Sequence, residues 1–218
     1  MPWSRACRPL AVALGVVIFV VTGCATGPRP TLGERVNAGG ETGQPTGIDA
    51  VDRLLVPLEG DVPGPFTATY EITRKLGAVT STATVVREGT ATSVTIGDVR
   101  FLSGTGDDAT CTLSSKQCEP GIHDERISDL SVPSTFWLAS PARLLRVAAA
   151  RSSGTPTPYD ATIAGLPVHC VEVPVGGGAE KYCVTPDGAI ASFDTAATFV
   201  NLTAWAAAAD PAALQHPS

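Results

Sequence analysis

The chain has 218 residues, 44% of them hydrophobic and 17% charged, and 15 basic against 21 acidic side chains give a formal net charge of −6. That length supports one domain with a real core plus tails. The acidic balance, with no run of five Lys or Arg, argues against nucleic acid or any other polyanion as a partner.

Residues 1–23 read as an export signal. Arg5 and Arg8 precede the uncharged stretch Leu10–Val21, which is shorter than the roughly 18 apolar residues a membrane-spanning helix needs. The following Val21-Thr22-Gly23-Cys24 resembles the bacterial lipobox, in which small residues give the signal peptidase access and the cysteine thiol takes the lipid. The expectation is a lipoprotein acylated at Cys24, with palmitate-type chains holding it to the extracytoplasmic face of the cell membrane. Residues 24–47, rich in Gly and Pro, read as a disordered tether.

The folded domain is expected over residues 48–209. Apolar residues at Ile48, Val51, Leu54 and Leu55 have helical spacing, ended by Pro57. Phe66–Thr73 alternates cleanly, with Phe66, Ala68, Tyr70 and Ile72 on one face. Strands follow at Val79–Arg87, Thr90–Ile96, Val99–Ser103 and Ala109–Leu113, separated by turn-forming pairs such as Gly97-Asp98, which indicates an antiparallel meander. Glu119–Pro133 reads as irregular. Ser134–Arg151 reads as helical, with Ser140 as N-cap, Pro141 at the first position, and Leu144, Leu145, Val147 and Ala148 as the buried stripe. Strands resume at Tyr159–Ala164, Val168–Val173, Lys181–Thr185, Ala189–Asp194 and Thr198–Thr203; Ala204–Ala209 suggests a last helical turn, and residues 210–218 a frayed tail.

Apart from Cys7 and Cys24, four cysteines remain, and an even number in an exported chain implies two disulfides. A hairpin around the loop Pro174–Ala179 places Cys170 opposite Cys183, and the same register sets Glu172 against Lys181 and Val171 against Tyr182. Cys111 then joins Cys118. A four-cysteine metal site is disfavoured because neither pair has C-x-x-C spacing.

Thr162-Ile-Ala-Gly-Leu-Pro-Val-His-Cys170 followed by Lys181-Tyr-Cys-Val-Thr-Pro-Asp-Gly188, within a layout of helix, strands, helical insertion and strands, resembles actinobacterial members of the LolA/LppX-LprG-like superfamily. The resemblance spans about residues 48–203. It implies an α+β fold: a curved antiparallel half-barrel sheet with helices packed on its concave face, and a lipid or other amphiphile as ligand. On that reading Phe66, Ala68, Tyr70, Ile72, Val171, Val173, Tyr182 and Val184 line an apolar site.

Catalytic signatures are absent. The chain has no G-x-S-x-G, S-x-x-K, P-loop or dinucleotide fingerprint. His169 reads as a hydrogen-bonded histidine at the edge of the core, His123-Asp124-Glu125 as a polar loop, and Asp107-Asp108 lacks calcium-loop spacing. No enzymatic activity, cofactor or metal is expected. The competing reading is an interaction or sensor domain with a filled core that recognises another envelope protein.

Overall fold

The computed structural model describes residues 40–60, 64–104, 106–130, 132–138 and 140–217. The expected export signal, Cys24 and most of the expected tether lie outside the described residues. The part of the tether that is described, from Gly40, is folded against the domain. Asp52 accepts hydrogen bonds from the backbone N–H and hydroxyl of Thr46 (2.8 and 2.7 Å), and Gly43 N–H donates to Glu59 at 2.8 Å.

Helix α1 (Asp49–Glu59) is amphipathic, burying Val51, Leu54 and Leu55. It runs through Pro57 rather than stopping there. The proline lies in the last turn and costs the helix one bond, the one its absent N–H would make to the Arg53 carbonyl. Six strands follow: β1 (Phe66–Arg74), β2 (Val79–Glu88), β3 (Ala91–Ile96), β4 (Val99–Ser103), β5 (Ala109–Thr112) and β6 (Gln117–Pro120). The stretch expected to be irregular, Glu119–Pro133, holds the end of β6 and a 3-10 segment, Asp124–Leu130. The expected helix Ser134–Arg151 is two elements, a 3-10 turn (Ser134–Trp137) and helix α2 (Ser140–Ala150). The chain ends with β7 (Thr157–Ile163), β8 (Leu166–Val175), β9 (Gly178–Val184), β10 (Ile190–Asp194) and β11 (Thr198–Ala206).

The eleven strands among the described residues form one sheet in the order β6-β5-β4-β3-β2-β1-β11-β10-β9-β8-β7. Neighbours in sequence pair antiparallel, except β6 and β7, which lie at opposite margins; β1 against β11 joins the two halves. β11 continues through Ala206, where a helical turn was expected, because β1 offers Thr67–Thr69 as partners for Ala204–Ala206. The α+β class and the antiparallel meander therefore stand.

The hairpin β8–β9 has the expected register, with Cys170 opposite Cys183, Val171 opposite Tyr182 and Glu172 opposite Lys181. Its loop is shorter than expected. Pairing runs on to Val175 and Gly178, so Gly176-Gly177 alone make the turn, Gly177 at φ +93°. Both disulfides form between directly opposed residues, Cys170–Cys183 and Cys111–Cys118. Replacing Cys170 and Cys183 together by alanine should lower the unfolding free energy by about 2–4 kcal/mol in urea titration. An unchanged midpoint would show that the hairpin register needs no crosslink.

The second helix corrects the expected stripe. Ala142, Leu145, Arg146, Ala148 and Ala149 are buried, whereas Leu144 is 36% exposed. The buried arginine is tolerated because Glu59 of α1 meets it. At the turn before β10, Gly188 has φ +86°, and a Cβ there would stand 2.1 Å from the Pro57 carbonyl oxygen. That close approach seats the end of α1 on the sheet and requires glycine.

The segment after β11 is not frayed. Thr67 Oγ1 donates to the Ala208 carbonyl (2.9 Å) and accepts from Asp210 N–H (3.0 Å); Arg100 reaches the carbonyls of Ala212 and Gln215, and Ala213 is buried. Thr67, Ser93 and Leu102 share one face of the sheet through the register of β1 to β4. The tail is thus a strap laid across the face opposite the helices.

Candidate functional site

Alternation in β1 turns Phe66, Ala68, Tyr70 and Ile72 to the helix-covered face, and register carries that face across the sheet. Ile72 opposes Val200, Val200 opposes Phe193, Phe193 opposes Tyr182, and Tyr182 opposes Val171. All eight residues expected to line an apolar site are buried, and all belong to one cluster with Leu54, Leu145, Phe136 and Trp137.

The cluster is tightly interlocked. The Tyr70 ring lies against Trp137, with centroids 5.6 Å apart, and its hydroxyl donates to the Ile190 carbonyl at 3.0 Å. Phe136 meets both Trp137 (5.3 Å) and Phe193 (5.2 Å) edge-on, and Phe193 meets Tyr182 at 5.3 Å. The Tyr182 hydroxyl donates to Glu180 at 2.7 Å, and Glu180 is ion-paired with Arg151. Burial pushes both phenols well above the ordinary tyrosine range; for Tyr182 the neighbouring Glu180 adds to the effect. Neither is suited to proton transfer near neutral pH. Among the described residues the indole Nε1 of Trp137, buried in this apolar layer, has no hydrogen-bond partner.

The other singled-out residues do not converge. His169 is exposed rather than at the edge of the core, since its side chain is 51% accessible and pairs with Asp160 at 2.8 Å. His123 bonds Glu125 and the Pro120 carbonyl within its loop. Asp108 accepts from Gly104 N–H, closing a turn.

Sequence reasoning missed the pair Arg146–Glu59, which links α2 to α1. Nε donates to Oε1 at 2.5 Å, Nη2 to Oε2 at 2.7 Å, and Nη1 to the Gln44 carbonyl at 2.7 Å. The available signal was an arginine within the spacing of Ala142, Leu145 and Ala149, where a helix otherwise buries apolar residues.

Two open concavities lie outside the core. One, of about 590 Å³, is bounded by β2, the β3–β4 turn and the 3-10 segment Asp124–Leu130. The other, of about 520 Å³, lies between the Gly106–Ala109 and Cys118–Gly121 stretches and is closed on one side by His216 of the strap.

These features define a class: an α+β domain built on one large antiparallel sheet with an apolar, helix-covered face. Among solved structures the chain is similar in fold to MucB, with a TM-score of 0.51 at 16% identity over 77% of this chain and 62% of that one. Two structures of MucB with MucA align at TM-scores of 0.49 and 0.45. The first, from Pseudomonas aeruginosa, is 17% identical over 77% of this chain and 60% of that one; the second is 15% identical over 76% and 59%. The chain therefore spans less than two thirds of these structures. It matches no protein-family model and no curated protein sequence.

Proposed function

We propose that this chain is an envelope lipoprotein, anchored through Cys24, whose LolA-like half-barrel domain is a non-enzymatic module that binds another envelope protein. The observation that carries this reading is the filled helix-covered face. The residues that would line a ligand cavity instead pack on Phe136, Trp137, Leu54 and Leu145, so recognition belongs to the outside of the domain. MucB is known bound to MucA. A protein partner is proposed here from the filled core, not from that likeness.

The partnerless Trp137 indole N–H favours a second reading, carriage of an amphiphile whose polar atom would accept that hydrogen bond. One preparation separates the two. The wild-type chain should fractionate with membranes and the Cys24→Ser chain should not. Organic extraction of purified Cys24→Ser protein, followed by lipid mass spectrometry, should match a mock purification. One lipid class at stoichiometric level would replace the filled-core reading with the carrier.

A further inference from the structure

Strand β2 is longer than its neighbour. Residues Val79–Thr82 pair with Glu71–Arg74 of β1 on one side, but the β3 ladder begins only at Ala83 opposite Ile96. Over these four residues no strand lies on the other side among the described residues. Successive residues of an antiparallel strand direct their N–H and C=O groups alternately to the two sides. Two of the four therefore present both groups to the open side, a template for one more strand.

Three observations set this step apart from the outer margins of the sheet. The marginal strands carry Pro158 in β7 and Pro120 in β6, residues that blunt edge pairing, whereas Val79-Thr80-Ser81-Thr82 has neither proline nor charge. The step opens into the 590 Å³ concavity, whose lining includes Ser81, Thr82 and Ile96 together with Asp98, Arg126 and Asp129. Leu76, 76% exposed at the tip of the β1–β2 turn, offers an apolar contact at one end.

The charge of the groove selects the occupant. Arg126 is committed to Glu119 (2.9 Å) and to the Thr112 hydroxyl (3.0 Å). Asp98 accepts from the Ser114 N–H and hydroxyl (2.8 and 2.5 Å) but keeps its charge, and together with Asp129 it sets the sign. We propose that this step is a strand-addition site for an extended partner segment bearing a basic side chain. Main-chain bonds to Val79–Thr82 would supply affinity, and Asp129, reinforced by the charge of Asp98, specificity. This rests on the protein-binding reading above and names its mode.

The test uses the full-length protein in detergent and the peptide Lys-Val-Thr-Val-Lys-Val-Thr, followed by amide hydrogen exchange. The expected result is slowed exchange confined to Val79–Thr82. Asp129→Lys should weaken binding by about five- to tenfold. A peptide N-methylated at alternate residues, or with Glu in place of Lys, should not bind. Three results would overturn the proposal: protection at β6 or β7 instead, none at all, or undiminished binding of the N-methylated peptide. These outcomes are distinguishable from failure of the functional reading. A lipid-filled core would defeat that reading through the extract, whereas missing protection defeats the step and leaves a partner on another surface.

Discussion

Replacing Arg146 by alanine is expected to destabilise the domain by about 3 kcal/mol, read as a shift of the urea midpoint with an unchanged slope. The side chains of Arg146 and Glu59 are only 5% and 9% exposed. Truncating the arginine leaves a partly buried carboxylate with the Gly43 N–H as its remaining hydrogen-bond donor among the described residues. It also removes the donor that holds the Gln44 carbonyl, so residues 43–46 should exchange their amides faster. Replacing both partners by apolar residues of similar volume should cost far less than the single change. A pH dependence follows. The hydrogen bond from Arg146, outweighing burial, holds the Glu59 carboxyl below the ordinary glutamate range. A depressed folded-state value means stability fully present above the unfolded value and lost as pH falls through the folded one. The wild type should therefore lose more stability than Arg146→Ala between neutral pH and the acid side of the glutamate range. Equal losses would show that the pair does not control this titration.

Trp137→Ala is expected to cost about 3–5 kcal/mol and to open a cavity. The indole is in ring contact with both Tyr70 and Phe136, so its removal leaves apolar surface facing a void rather than a gap that neighbours can fill. The variant should take up an apolar fluorescent dye that the wild type excludes. If the wild type binds the dye as strongly, the core is open before the mutation, and the filled-core argument for a protein partner falls with it. If the variant unfolds outright, Trp137→Phe supplies a smaller void for the same comparison.

Much of the sheet was legible because alternation is a local signal. Phe66–Thr73 declares its two faces residue by residue, and the paired placement of Cys170 with Cys183 and Glu172 with Lys181 fixes a register that the fold adopts. The limits of local reading appear where a distant segment decides. Ala204–Ala206 have helical propensity, yet they extend because β1 offers an open ladder more than a hundred residues earlier. The tail from Asp210 lacks any strong pattern and is ordered by the hydrogen bond that Asp210 N–H donates to Thr67 and by those that Arg100 donates to the Ala212 and Gln215 carbonyls. The eight residues read as a lining were correctly placed on one face. Whether that face encloses a ligand depends on how far Phe136 and Trp137 descend onto it, and this is set by the break between the 3-10 turn and α2, which apolar spacing alone does not mark. The step at Val79 was out of reach for the same reason. It arises from a difference in length between β2 and β3, visible only once their register is known.

The single seam between β1 and β11 shapes how the chain can fold. Every other strand pair closes over a short turn or local loop, whereas these two partners lie roughly 130 residues apart, so their closure carries the largest chain-entropy cost in the sheet. Two meanders can form quickly and separately, one from β1 to β6 and one from β7 to β11, with the seam zipping last. In a chain that emerges from its N-terminus, the first meander stands with β1 unpaired along its inner margin until the last strand has followed. That waiting interval, more than any weakness of the finished domain, is when the molecule is most open to a wrong partner, and it places the greatest need for a chaperone before the final strand arrives.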